Sequence, residues 1–167
     1  MQINKIVLCG LAASFICVLG PITIPLNVIP ITFATLIIYI IALTFDVRCS
    51  VVSVLIYVIL GCIGLPVFSG FSGGLAHILG PTGGFILGYI PLAFIVSLLN
   101  NSKSGRLIGL TMGTLSLYFV GCVWFCLYTN ENLVTAFKLY LLPFVLIDII
   151  KIALSLMIYP RIKNTIR

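Results

Sequence analysis

The chain has 167 residues, and its composition excludes a water-soluble domain. Hydrophobic residues make up 62% of the sequence and charged residues 7%, and the mean hydropathy is +1.33. Soluble domains carry about 25% charged residues, so this chain cannot cover a water-facing surface. Its net charge of +6 is spread over short polar segments, which argues against a nucleic-acid-binding patch. We expect one membrane domain over residues 1–167.

Breaks in the apolar pattern divide the chain into candidate membrane spans. Continuous apolar runs without strict alternation favour helices over β-strands. The spans cover approximately Asn4–Leu19, Ile31–Phe45, Ser50–Gly64, Thr82–Leu99, Leu107–Tyr128 and Ala136–Tyr159. The sequence therefore predicts an all-α membrane protein with six transmembrane helices.

The basic residues predict the orientation of these spans. With six spans, Lys138 lies near one side, and seven basic residues fall on the other: Lys5, Arg48, Lys103, Arg106, Arg161, Lys163 and Arg167. Cytoplasmic loops carry an excess of Lys and Arg, so both termini are expected in the cytoplasm. A positive region of a single lysine, Lys5, and the Gly20-Pro21 break after the first span do not fit a cleavable signal peptide. The compact chain favours the cell membrane of a prokaryote.

Small residues recur one turn apart on the first span, in Gly10-x-x-x-Ser14 and Ala13-x-x-x-Cys17. Small faces let membrane helices approach closely, and packing within the protein is their usual meaning. The outer connection that follows, residues 20–30, has three prolines and no charge. It is either a stiff lid over a cavity or a short interfacial connector.

A glycine-rich segment between the third and fourth spans, Gly61–Gly88, holds nine of the fifteen glycines. It is apolar enough for membrane depth but too broken for a regular helix. Irregular backbone at that depth survives only where protein or a cavity covers it. We predict a partly re-entrant, cavity-lining outer loop, and tight helix packing through small residues is the alternative.

The residues of the chain do not suggest catalysis or a cofactor. His77 is the only histidine and has no recognisable nucleophile or acid partner in the sequence. The glycine segment lacks the Gly-Lys-Ser/Thr ending of a phosphate-binding loop. The six cysteines form no Cys-x-x-Cys pair and are interpreted as small buried hydrophobes rather than metal ligands. The sequence therefore predicts a protein that is not an enzyme and that binds no metal.

Two charged residues interrupt the last span. Asp148 and Lys151 are three residues apart, so both project from nearly the same helix face. A charge at bilayer depth costs at least about 2.5–3.5 kcal/mol on insertion scales. The two side chains therefore need a polar partner, which is each other, a second helix or a ligand. A self-contained ion pair that fixes helix packing is the alternative to a ligand site.

Four motifs together resemble the BioY family, the biotin-specific S components of energy-coupling factor (ECF) vitamin transporters. They are Val28-Ile-Pro-Ile-Thr-Phe33, Gly64-Leu-Pro-Val-Phe68, Gly80-Pro-Thr-Gly-Gly84 and Asp148-x-x-Lys151. The resemblance extends over almost the whole chain in length, span count and motif order. One departure is Ala34, where the family pattern suggests glutamine, so the resemblance implies no polar contact from that position.

The resemblance implies a site that opens to the outside and captures biotin, with Asp148 and Lys151 on its ureido ring. It also implies energising partners, namely a transmembrane coupling protein and two cytoplasmic ATP-binding cassette ATPases, in addition to membrane lipid. In S components a small-residue stripe on the first helix docks the coupling protein. The corresponding residues here are Gly10, Ala13, Ser14 and Cys17.

The hydrogen-bonding groups fit such a ligand. A cyclic urea has N–H donors and a C=O acceptor, which complement the Asp148 carboxylate and the Lys151 ammonium. Candidate apolar walls for its thioether ring are Phe68, Phe71, Phe85, Tyr89 and Tyr140. Candidates for its carboxylate are Lys138, His77 and backbone N–H groups of the glycine loop around Gly73 and Gly74.

Four other functions are open at this point. The chain could be a solitary biotin carrier, or an S component for another small vitamin. A membrane-embedded enzyme needs a nucleophile or metal cluster near the charged pair, and the sequence offers neither. A purely structural subunit leaves Asp148 and Lys151 paired with no ligand-sized cavity.

Overall fold

The computed structural model describes residues 2–24, 31–130 and 142–166, and the side chains within 5–24, 31–130 and 144–163. It is all-α apart from one short two-stranded sheet. The helices are α1 (Gln2–Leu19), α2 (Ala34–Thr44), α3 (Val47–Ile63), α4 (Leu75–Leu79), α5 (Gly83–Leu98), α6 (Lys103–Thr129) and α7 (Leu142–Ile166). The strands are β1 (Thr23–Ile24) and β2 (Ile31–Thr32), which pair antiparallel with Thr23 opposite Thr32. The predicted all-α class is confirmed.

Helix α2 lies at the centre of the fold. It packs against α5 and α7 and also contacts α1 and α3. Its sequence is apolar on every side, and a helix of that kind is stable only when it is surrounded by protein or lipid. Ile38 and Tyr39 are fully buried, and the Tyr39 hydroxyl forms a 2.6 Å hydrogen bond with Thr114 Oγ1 on α6. This helix therefore determines where its neighbours α5, α6 and α7 lie.

Helices α5 and α6 form the closest helix pair, and glycine makes their approach possible. A Cβ atom added to Gly84 on α5 would lie 2.2 Å from Cβ of Trp124 on α6. Close backbone approach through small residues is typical of helix pairs in membranes. The indole N–H of Trp124 donates a 2.9 Å hydrogen bond to the carbonyl of Gly80, which fixes the start of α5 against α6.

Large apolar side chains point away from the protein along several helices. Val18 on α1, Phe119 and Leu127 on α6, and Met157 on α7 are each 66–74% exposed. Such surfaces are favourable in contact with lipid chains and costly in water. Among the described residues only α6 is long and apolar enough by itself to cross a bilayer. The shorter apolar helices are Lys5–Leu19, Ala34–Thr44, Val47–Ile63 and Gly83–Leu98.

The helix boundaries differ from the predicted spans in several places. Helix α2 begins at Ala34 rather than Ile31, because Ile31 and Thr32 form β2, and α6 begins at Lys103 rather than Leu107. The segment between the third and fourth spans contains the five-residue helix α4, which the sequence analysis did not predict. The last described helix ends at Ile166 rather than near Tyr159. Helix α7 continues through Pro160 to Ile166. The number of membrane spans and the cytoplasmic placement of both termini stay predictions.

Candidate functional site

The charged pair of the last span lies at the centre of a buried polar cluster on α7. Lys151 Nζ and Asp148 Oδ1 are 3.2 Å apart, and the two residues are 9% and 4% exposed. The helix geometry predicted from their three-residue spacing is therefore what brings them together. A buried ion pair is stable only when further hydrogen bonds satisfy its remaining donors and acceptors.

Helix α2 and strand β2 supply the oxygens around Lys151. The ammonium donates to the carbonyl of Thr32 at 2.9 Å and to Oγ1 of Thr35 at 2.7 Å. An ammonium has three N–H donors, and three oxygens including Asp148 Oδ1 now surround it. Lys151 thus links α7 to the start of α2. A polar contact does come from the start of the second span, although Ala34 itself cannot make it.

Helix α6 supplies the donor for Asp148. The Tyr118 hydroxyl donates a 2.5 Å hydrogen bond to Asp148 Oδ2. The other carboxylate oxygen, Oδ1, is buried and faces Lys151 Nζ, but it accepts no hydrogen bond from the described residues. Its contact with the ammonium is an ion pair without hydrogen-bond geometry, so this acceptor is only partly satisfied. Oδ1 is therefore the atom of the pair that can gain most from an N–H donor.

A first cavity of about 50 Å³ opens beside the ion pair. It is lined by Thr32, Thr35, Phe85, Tyr89, Leu117, Tyr118, Phe144, Asp148 and Lys151. Its polar groups are concentrated at the end formed by the charged pair, and aromatic side chains form the rest. That combination is typical of small-molecule sites, in which a few polar groups orient a mostly apolar ligand.

A second cavity of about 50 Å³ lies on the other side of Tyr89. It is lined by Thr32, Tyr57, Phe68, Ser69, His77, Thr82, Phe85, Ile86 and Tyr89. Thr32, Phe85 and Tyr89 belong to both cavities, and Thr32 Oγ1 lies 3.3 Å from the Tyr89 hydroxyl. The two cavities are therefore neighbours that share a wall of three side chains.

Phe68 anchors the glycine-rich loop to the second cavity. Its ring is 1% exposed and meets the Tyr57 ring edge-on, with centroids 5.6 Å apart. A Cβ atom added to Gly61 would lie 2.1 Å from Cζ of Phe68, so glycine at 61 makes room for the ring. The N–H of Gly70 donates to the carbonyl of Pro21, which ties this loop to the first outer connection. The loop lines the second cavity through Phe68, Ser69 and His77, and its partly re-entrant outer placement stays a prediction.

The predicted ligand-binding residues are those that line a cavity, those that line neither cavity and those outside the described residues. Asp148 and Lys151 line the first cavity, Phe68 and His77 line the second, and Phe85 and Tyr89 line both. Phe71, Gly73 and Gly74 line neither of these cavities, and the Phe71 side chain is 64% exposed. Tyr140 and Lys138 lie outside the described residues.

The two glycines have structural reasons to be glycine. A Cβ atom added to Gly73 would lie 2.2 Å from the carbonyl oxygen of Leu65, and Gly74 has a φ of +102°. The N–H of Gly74 donates to the carbonyl of Gly61 at 2.7 Å. Their place in the sequence reflects loop packing, and the Gly74 N–H is not free to receive a carboxylate.

Three residues next to the ion pair were not singled out from the sequence: Thr32, Thr35 and Tyr118. Thr32 belongs to the Val28–Phe33 motif, and a polar residue within that motif was a usable signal. Tyr118 follows Thr114 by four residues, so both lie on one face of an apolar helix. That spacing was a second usable signal. No sequence pattern indicated which helix this face would meet.

The small residues of α1 do not share one surface. Gly10 and Ser14 lie on the outer side, where a Cβ added to Gly10 meets no atom within 4 Å and Ser14 is exposed. Ala13 is 2% exposed, and Cys17 packs against the core. The predicted docking stripe is therefore restricted to Gly10 and Ser14, because the helix turns Ala13 towards the protein interior.

Comparison with known proteins identifies the family. The family model described as "BioY family" matches residues 1–167. "Probable biotin transporter BioY" of Pyrococcus horikoshii is 36% identical over 98% of this chain and 99% of its own length. "Biotin transporter BioY" of Thermotoga maritima is 31% identical over 96% of each chain. These relatives are named as transporters, which agrees with the prediction that the chain is not an enzyme.

The fold has a solved counterpart. The crystal structure of "the S-component for biotin from an ECF-type ABC transporter" matches with a TM-score of 0.83 and 27% sequence identity. The match covers 98% of this chain and 92% of the other. Family model, relatives and fold agree over nearly the full length, and the chain belongs to the BioY family.

Proposed function

We propose that this chain is the substrate-binding membrane subunit of an ECF-type transporter and that it captures biotin at the cluster around Asp148 and Lys151. The observation that carries the proposal is the buried Asp148 Oδ1, which accepts no hydrogen bond from the described residues while it lines an aromatic cavity. The names of the relatives and of the structural counterpart support biotin as the ligand.

The ureido ring offers a donor for the Asp148 carboxylate and an acceptor for the Lys151 ammonium, and the two contacts differ in what they require of the protein. One ureido N–H donates to Asp148 Oδ1 and satisfies the buried acceptor. Lys151 already contacts three protein oxygens, so it contributes to the ligand carbonyl only by giving up one of them. The contact with Asp148 is the longest at 3.2 Å and is the one we expect to yield. Biotin then takes the place of part of the ion pair.

The thioether ring and the tail require more room than either cavity offers. Each cavity holds about 50 Å³, whereas sites for small organic ligands measure about 300–1,000 Å³. Movement of Phe85 and Tyr89, which belong to the shared wall, has both to merge the two spaces and to enlarge them, because their combined volume is still below that range. We infer that the ureido ring occupies the first cavity and that the tail points to the second, near Ser69 and His77.

A binding titration tests the site. Calorimetry on purified protein in detergent is expected to show tight biotin binding. Asp148→Asn and Lys151→Ala should each weaken it by at least about 2 kcal/mol, or roughly 30-fold, because a buried charge loses its partner. Asp46→Asn is the matched control, since Asp46 is exposed and lies outside both cavities. Unchanged affinity in both site variants contradicts the assignment.

A ligand analogue tests the ureido contacts separately. Lipoate has a sulfur-containing ring and a similar carboxylate tail but no urea. Sites built to bond N–H groups reject analogues without them by a factor on the order of 10⁴. Comparable binding of lipoate and biotin contradicts recognition through the ureido ring.

Reconstitution tests the transport role. We expect biotin uptake into proteoliposomes only when a coupling protein, two ATPases and ATP are present. Uptake by the chain alone indicates a solitary biotin carrier. Tight binding of a different vitamin without biotin binding indicates another S component.

A further inference from the structure

A groove of about 390 Å³ lies between α1 and α3, away from the biotin site. It is lined by Lys5, Ile6, Cys9, Gly10, Asp46, Arg48, Cys49, Val52 and Ile56. None of these residues lines either cavity beside Tyr89. The groove is therefore separate from the biotin site, and through Gly10 it adjoins the predicted docking face on α1.

The wall of the groove is apolar and its floor is closed. The Ser53 hydroxyl lies 3.0 Å from the carbonyl of Cys9 and joins the two helices behind the groove. Ile6 is 74% exposed and Val52 is 42% exposed, and a Cβ at Gly10 meets no atom within 4 Å. This shape leaves a channel along the protein surface into which an acyl chain fits.

The mouth of the groove carries excess positive charge. Lys5 on α1 and Arg48 on α3 are exposed, and within the part of the chain that the structure describes neither forms an ion pair. Asp46 is the opposing carboxylate, and it precedes α3 without a side-chain cap on that helix. Two cations against one carboxylate favour a group with net negative charge. The positive end of the α3 dipole acts in the same direction.

We propose that this groove binds an anionic phospholipid on the side predicted to be cytoplasmic. Its phosphate lies between Lys5 and Arg48, and an acyl chain follows Ile6, Val52 and Ile56. Basic pockets between membrane helices on the cytoplasmic side are suited to anionic head groups. An uncharged apolar helix of a partner protein fits the groove less well, because it supplies no counter-charge for the cation that Asp46 leaves in excess.

Lipid titration tests this proposal. Dioctanoyl phosphatidylglycerol or dioctanoyl phosphatidylcholine is added to the purified full chain in a nonionic detergent, and bound lipid is counted by native mass spectrometry. We expect the anionic lipid to bind preferentially. Lys5→Ala and Arg48→Ala should each weaken its binding about fivefold, the effect of about one cation at a lipid surface. Arg48→Lys should retain most of it.

The control is Lys103→Ala, which removes an exposed cation on the same predicted side but outside the groove. Equal binding of the two lipids, or an equal loss in Lys103→Ala, overturns the proposal. Unchanged lipid binding with lost coupling-protein association assigns the groove to protein docking and overturns it as well. Biotin affinity of each variant reports whether it is folded, so a failure here is distinct from failure of the proposed biotin site.

Discussion

The Tyr118 hydroxyl donates a 2.5 Å hydrogen bond to Oδ2 of Asp148, and this bond joins α6 to α7 at the buried ion pair. A short hydrogen bond to a carboxylate is stronger than one between neutral groups. It leaves Oδ1 as the oxygen that faces Lys151 and the first cavity. Tyr118 therefore sets the orientation in which Asp148 meets a ligand.

Replacing Tyr118 with Phe removes this donor and keeps the ring. We expect biotin affinity to fall by about 1.5–3 kcal/mol, the usual value of a hydrogen bond to a charged group. Calorimetric titration measures the loss. Tyr128→Phe is the control, because Tyr128 lies on the same helix and is 54% exposed. Equal affinity in the two variants contradicts the positioning role of Tyr118.

Thr35→Val removes a hydroxyl acceptor from Lys151 and changes the side-chain volume little. The ammonium then lacks its closest oxygen, at 2.7 Å, so we expect a loss of about 1–3 kcal/mol in stability. Thermal unfolding in detergent measures this loss, and Thr35→Ser should restore most of it. Thr111→Val is matched to it, since Thr111 bonds only to the Leu107 carbonyl of its own helix on the exposed side. A similar loss in both variants indicates a local helix effect.

Gly61→Ala tests the packing of the glycine-rich loop. The added methyl group collides with the buried Phe68 ring, and overpacking of this kind typically costs about 1–3 kcal/mol. We expect a lower melting temperature and weaker biotin binding, because Phe68 lines the second cavity. Gly10→Ala has open space and should keep or raise the melting temperature. Equal melting temperatures in the two variants contradict the close contact between Gly61 and Phe68.

Ser14→Trp tests the predicted docking face on α1. Ser14 is exposed, so a large side chain there should spare biotin affinity and weaken association with the coupling protein. We expect uptake to fall by roughly tenfold or more, which corresponds to about 1.4 kcal/mol. Leu127→Trp is the control, because Leu127 lies on α6 and is 74% exposed. Normal uptake by Ser14→Trp contradicts the prediction that this face of α1 docks the coupling protein.

Ala13→Trp has a different expected outcome. Ala13 is buried, so the variant should lose stability rather than coupling alone. An unchanged melting temperature contradicts the burial of Ala13.

The sequence identified most clearly the residues whose burial in a membrane costs the most free energy. Charges in apolar helices are expensive, so Asp148 and Lys151 stood out before any contact was known. Phe68 and His77 were predicted as site residues because they belong to the glycine-rich segment that was expected to line a cavity. Phe71 was predicted with them and lies exposed, because its φ of +58° turns the backbone at the tip of the loop away from the cavity.

Composition and hydropathy by themselves determined the membrane class, the all-α fold and the pair on one face of the last helix, because these depend on local spacing and transfer energy. Only the tertiary structure decided what surrounds the pair. Thr35 and Lys151 are 116 residues apart in sequence, and they meet because α2 packs between its neighbours. Thr35 and Tyr39 lie one turn apart on one face of α2, but this spacing does not indicate which neighbouring helix that face meets. Which oxygens surround Lys151 is therefore decided by how α2 and α7 pack against each other.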